Sequence, residues 1–210
     1  MGLLDLVTFS AGTVIGSQVG LRYANLKQPR PFPRQAAALL DHNLRLKYRE
    51  PAQSLTPFGI APGSTVLELG CGTGLFTVEM ARQVGAQGRV HAVDIQEEMI
   101  DATRQRVTAA GMAQRVSLHH SGAYRLPLQD ASVDIAILIA TLSEIPDRLL
   151  ALDELRRVIK PGGRIAISEE MAHPAYVPAQ VTRRWLRAAG FRYGGQQGTP
   201  FCYSLLYFAE

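Results

Sequence analysis

A chain of 210 residues, 47% apolar and 19% charged, has the size and composition of one globular domain with a substantial core, not of a disordered or fibrous chain. Its two cysteines, Cys71 and Cys202, make neither a metal-ligand spacing nor a disulfide framework, which favours a reducing cytoplasm. The net charge of +4 belongs to residues 1–60, where seven Lys/Arg meet three Asp/Glu; the other 150 residues carry fifteen of each sign.

The first residues form an arm. Leu6–Leu21 is uncharged, and Gly12, Gly16 and Gly20 stand at the four-residue spacing that gives a helix one smooth stripe for close packing. The run is shorter than the roughly 20 residues a membrane span needs, and it has neither the basic start nor the cleavage site of a signal peptide. It reads as a helix docked on the domain or a partner, or as a membrane contact through residues 3–21 that the nearby Arg22, Lys27, Arg30 and Arg34 would assist. Pro29, Pro31 and Pro33 then make an extended spacer, so residues 1–33 are assigned as arm and linker. Residues 34–48 place Ala36, Leu39, Leu40, Leu44 and Tyr48 at amphipathic helical spacing, and 51–60 holds a second short helix. Together 34–61 is a helical lead-in to a domain spanning 62–210.

From residue 65 strands and helices alternate: strand TVLEL (65–69), helix 74–84, strand 88–95, helix 97–112, strand 114–120, and the most apolar run, SVDIAILIA (132–140), as the central strand. A helix over 147–159 ends in a KPGG turn, followed by strand 164–170, helix 179–190 and strands 191–197 and 201–208. This order predicts an α/β, Rossmann-like, doubly wound sheet of seven strands, mostly parallel with a C-terminal antiparallel pair.

The stretch ELGCGTG, Glu68–Gly74, interrupts that pattern with three glycines at alternate positions. It sits after the first strand, where such sheets bind ligands, and its glycines let a ligand approach the backbone closely. Asp94, at the end of the second strand, is placed to accept hydrogen bonds from a ribose diol. The dinucleotide pattern is G-x-G-x-x-G; here the spacing is G-x-G-x-G and Phe76 occupies the last glycine's place. Glu68 would oppose a phosphate and suits a cationic amine. A ribose, a positive amine and no phosphate describe S-adenosylmethionine (SAM).

VLELGCGTG, AVDIQEEMI, LPLQDASVDIAI, EIPD, KPGGRIAISE and LRAAGF occur in the order seen in class I SAM-dependent methyltransferases. Over roughly residues 62–208 the chain resembles the small-molecule branch that includes the ubiquinone/menaquinone-biosynthesis enzymes. The resemblance implies that Gly70, Cys71, Gly72 and Gly74 wrap the methionine part of SAM and that Glu68 orders the turn near its amino group. It implies Asp94 on the ribose, Ile95 and Met99 on the adenine, and backbone groups of Ala140 and Thr141 on the amine. Gly122 stands where the family usually has an acid for the adenine N6 amine, with the Ala123 N–H still free to reach adenine N1. The missing acid would weaken binding about tenfold if nothing replaces it.

Methyl transfer needs chiefly positioning, plus a base when the acceptor is a hydroxyl, amine or acidic carbon. Glu144 is the first candidate base and His173 the second, with Glu170 and Tyr176 as further pocket-lining candidates. His91 reads as a core residue, and His119 and His120 as lying on the adenine side; no histidine spacing suggests a metal. The chain lacks the N/D-P-P-Y stretch of nucleic-acid amine methylases, which leaves a small acceptor: a quinone, isoprenoid or lipid-like molecule, and no nucleic acid. The alternatives are a non-catalytic SAM-binding or membrane-tethered interaction protein and, behind it, an NAD-dependent oxidoreductase.

Overall fold

The computed structural model describes residues 20, 22, 23, 25 and 27–210. The candidate membrane contact at residues 3–21 therefore falls almost wholly outside the described residues. Among those described, no helix is long and apolar enough to cross a membrane.

One seven-stranded sheet organises the molecule: β1 (Thr65–Leu69), β2 (Arg89–Asp94), β3 (Val116–His120), β4 (Val133–Ile139), β5 (Ile159–Glu170), β6 (Arg192–Gly198) and β7 (Cys202–Phe208), in the order β3-β2-β1-β4-β5-β7-β6. The pairings from β3 to β5 are parallel; β7 is antiparallel to both β5 and β6. β4 is central because it has no polar face. Ile135, Ala136, Ile137 and Leu138 are all fully buried, serving the apolar layers on both sides of the sheet.

Short helices α1 (Asn43–Leu46) and α2 (Pro51–Leu55) precede the sheet; α3 (Leu75–Gln83) and α4 (Glu97–Ala109) follow β1 and β2. The helices α5 (Arg148–Val158) and α6 (Ala179–Ala188) flank β5 in sequence. α3 packs Met80, Ala81 and Val84 at its end against Val66, Val90 and Ile135, while α5 packs Ala151, Leu152, Leu155 and Val158 on the other side.

Two expectations change. The helix expected over residues 34–48 is a 3-10 turn (Arg34–Leu39), a break, and the single turn α1. Extended backbone at His42 makes the break, and the His42 ring caps the new helix by accepting from Leu44 N–H. Polar groups hold this segment to the body: Arg106 donates to Asp41 and Arg45 to Glu170, while Leu39 and Leu44 face solvent. The KPGG turn is likewise absorbed into β5, with a register shift against β4. Its backbone pairs with the chain end, Gly162 N–H to Ala209 O and Ala209 N–H to Gly163 O.

Candidate functional site

The winding of the sheet reverses between β1 and β4, which leaves a crevice at their carboxyl ends. A cavity of about 290 Å³ lies there, at the low end of the range for small-molecule sites. Gly70 and Gly72 form one wall, Asp94, Ile95 and Met99 the next, Gly122 and Ala123 a third, and Ala140, Thr141 and Glu144 the fourth, with His173 reaching in from beyond β5. The fold thus gathers predicted residues from five separate loops.

Gly70 explains why the turn is built from glycine. Its φ is +78°, and a Cβ there would lie 2.3 Å from Thr141 Oγ1 and 2.5 Å from Thr141 Cγ2. Any side chain at this position would collide with the opposite wall. Gly72 donates its N–H to Asp94 Oδ2 (3.0 Å), and Gln96 N–H donates to Asp94 Oδ1 (2.9 Å). Burial raises the Asp94 pKa, opposed by these backbone donors. The carboxylate is thereby aimed with lone pairs to spare for a diol. Ala140 carries strain of its own, in the left-handed region at φ +54° with its N–H on Ser168 O.

Three of the predicted cofactor residues are not in the cavity wall. Glu68 is buried behind the turn, where it accepts from the Thr77 hydroxyl, and burial pushes its pKa up to about 8. The carboxyl expected to face an amine is thus turned away from the crevice; Glu68 braces α3 against the turn. Cys71 is buried against Ala92 and Ile100, with its thiol pKa raised by that burial. Gly74 caps the start of α3, packed so closely on α4 that a Cβ would lie 2.9 Å from Thr103 Cα. Strand and turn geometry send these three away from the crevice.

Glu144 and His173, two separate candidates in the sequence, form a pair. His173 Nε2 lies 3.1 Å from Glu144 Oε1. Its Nδ1 accepts the Ala175 N–H, which places the ring proton of the neutral imidazole on Nε2, pointing at Glu144. Burial raises the Glu144 pKa, the His173 hydrogen bond being the chief opposing influence. Glu170 and Tyr176 do not line the cavity: Glu170 is paired with Arg45 and Arg49, and the Tyr176 hydroxyl donates to Pro200 O.

The proline-rich segment was expected as a spacer and is instead a wall of the site. Phe32 N–H donates to Glu144 Oε2 (3.1 Å), Phe32 O accepts from Gln96 (3.0 Å), and the Phe32 ring stacks on His173 at 5.3 Å. Pro31, Phe32, Leu40 and Arg45 all line the cavity. Sequence reasoning missed them because nothing local marks a proline-flanked Phe as facing a site 112 residues away. His91 is half-buried and shares a hydrogen bond with His119 (Nδ1 to Nε2, 3.1 Å), while His120 bonds Ile95 O; none of the three lines the cavity. Burial and the neighbouring His119 lower the His91 pKa to about 4. Among the described residues no cluster of three metal-binding side chains occurs.

Residues 60–188 match the family model described as a methyltransferase domain. The chain belongs to that family. It is 36% identical over 118 residues to a demethylmenaquinone methyltransferase of Bacillus cereus, covering 56% of this chain and 49% of that protein. A demethylmenaquinone methyltransferase of Listeria monocytogenes is 33% identical over 129 residues, 61% of this chain and 53% of its own. The chain thus spans about half the length of the curated relatives it matches. Among solved structures, a SAM-dependent methyltransferase from Aquifex aeolicus superposes with a TM-score of 0.80 at 28% identity, over 85% of this chain and all of that one. The seven-stranded Rossmann-like sheet is the architecture this likeness supports.

Proposed function

We propose that the protein transfers a methyl group from SAM to a small, lipophilic acceptor, and that the crevice containing the cavity receives both molecules. The observation that carries the reading is the convergence of the Gly70–Gly72 turn, Asp94 and the Glu144–His173 pair on one crevice. The residues fit the donor. Gly70 leaves a cradle that a side chain would fill, Asp94 presents an aimed carboxylate to a ribose, and Ile95 and Met99 offer an apolar bed for a base. Gly122 leaves its place in the wall open: a Cβ there would meet only Ile95 Cδ1, at 3.8 Å. Bound SAM supplies an activated methyl group for in-line displacement.

The chain's own residues then do two things. Positioning falls to the apolar wall of Phe32, Leu40, Ile139 and Ile145, which excludes water from the acceptor. Proton removal falls to Glu144, whose pKa burial raises toward working pH. His173 holds one carboxylate oxygen through Nε2–H and Phe32 N–H holds the other, leaving further lone pairs for an acidic acceptor O–H or C–H. His173 is accordingly a positioning residue. The relatives' activity toward demethylmenaquinone supports a quinone as acceptor, and contact of residues 3–21 with a bilayer would suit such a molecule.

Glu144→Gln should lower kcat by about 10²–10⁴-fold, with SAM affinity within about threefold of the parent. His173→Gln should lower kcat less and move the acidic limb of the pH profile to higher pH, because the contact that lowers the Glu144 pKa is weakened. Undiminished turnover in Glu144→Gln with a quinol acceptor would remove the base from the mechanism; absence of SAM binding to the parent would remove the reading itself.

A further inference from the structure

We propose that the rim around the cavity, formed by residues 22, 23, 25 and 27–48 with the turns at Glu170–His173 and Pro200–Phe201, docks on an anionic lipid bilayer. The docking does not depend on the methyl-transfer reading.

Part of the N-terminal segment's charge is turned inward. Asp41 is consumed by Arg106 and Thr73, while Arg45 and Arg49 are consumed by Glu170. Leu39 (59% exposed) and Leu44 (64%) consequently point to water. The same rim carries three exposed aromatic residues, Tyr23 and Phe201, each 63% exposed, and Tyr48, 49% exposed. Hydrogen bonds join these parts into one surface. The Arg22 guanidinium donates to Met171 O, and Met171 N–H donates to Phe201 O. Glu170, the next residue back, holds Arg45 beside Leu44. Large apolar side chains gathered in this way mark an interaction surface.

Charge selects the occupant. Lys27, Arg30 and Lys47 are exposed, and among the described residues none of them pairs with a carboxylate. The acids of this stretch are already engaged: Asp41 as above, and Glu50 by the N–H groups of Ala52 and Gln53. A second copy of the chain would set this positive rim against itself. Residues 1–19 cannot neutralise it, because Asp5 is their one charged side chain. Duplex nucleic acid would meet the cations but, with its bases already stacked, leave Leu39, Leu44 and the exposed aromatic rings without a role. Anionic headgroups over acyl chains satisfy both halves of the surface, the cations with phosphate and the apolar side chains with the interface. Pro31, Phe32 and Leu40 belong to both the rim and the cavity wall, so docking would set the cavity beside the membrane.

The test is flotation of the full chain with vesicles of phosphatidylcholine alone or with about 30% phosphatidylglycerol, at low and high salt. The parent should float with the anionic vesicles only, and high salt should release it. Lys27→Glu/Arg30→Glu/Lys47→Glu should weaken binding by at least about fivefold per residue. Leu44→Asp/Phe201→Asp should weaken it by about tenfold or more, with the parent's thermal midpoint retained in both variants. All five side chains are exposed, and if one variant unfolds the other decides. Equal flotation on both vesicle types, parental binding by either folded variant, no flotation beside duplex-DNA binding, or an apolar variant that only turns a dimer into a monomer would each overturn the proposal.

Discussion

Replacing Gly70 by Ala tests whether the turn is glycine for steric reasons. At φ +78° an L-residue costs about 1–2 kcal/mol. The added Cβ would also meet Thr141 at 2.3 Å (Oγ1), 2.5 Å (Cγ2) and 3.0 Å (Cβ), an overlap that costs about 1–3 kcal/mol after relaxation. Gly70→Ala should therefore destabilise the fold by about 2–5 kcal/mol. Thr141→Ala deletes the two nearest atoms and leaves the contact at 3.0 Å. Alone it should cost about 1 kcal/mol, from the hydrogen bond that Thr141 Oγ1 donates to Ile139 O. In the Thr141→Ala background the cost of Gly70→Ala should fall to the backbone part, about 1–2 kcal/mol. Urea unfolding of the four proteins gives the coupling directly, provided the slope with denaturant is unchanged. Equal costs of Gly70→Ala in both backgrounds would show that the two walls do not touch as described.

Asp94→Asn removes a charged acceptor and forces the amide to leave either Gly72 N–H or Gln96 N–H unpaired. Calorimetric titration should show SAM affinity lowered about tenfold or more, and parental affinity would free Asp94 from the ribose role. Glu68 and Glu169 are both buried carboxyls with pKa values pushed up to about 8 by desolvation, from an ordinary value of 4.5. In that window the folded chain keeps protons that the unfolded chain releases, so stability should fall as pH rises from 4.5 to about 8 and level off above it. Thermal midpoints across this range should show the slope reduced in Glu68→Gln and in Glu169→Gln; an unaltered slope would mean that these carboxyls are ionised in the fold.

The elements of the body were legible because their signals are local. β4 announces itself by an unbroken apolar run, the glycine turn by spacing, and Asp94 by its place at the end of a strand. Legibility failed where polar contacts between distant segments outweigh a local pattern. The apolar spacing of residues 34–48 suggested a helix with its stripe turned inward, yet Asp41 and Arg45 found ion partners at Arg106 and Glu170. Those pairs turned Leu39 and Leu44 outward. Glu68 failed in a related way: it lies in the right stretch, but its side chain leaves the strand on the side of Thr77 rather than of the crevice.

The sequence by itself determined the parallel sheet and the turn that marks its ligand crevice, because periodicity and glycine spacing act within a few residues. Only the tertiary structure decided that Glu144 meets His173, and that Phe32 lies across both of them from a segment more than 110 residues earlier. Such pairings depend on where loops from separate strands converge. That convergence follows from the order in which the sheet is wound, which no short stretch of residues records.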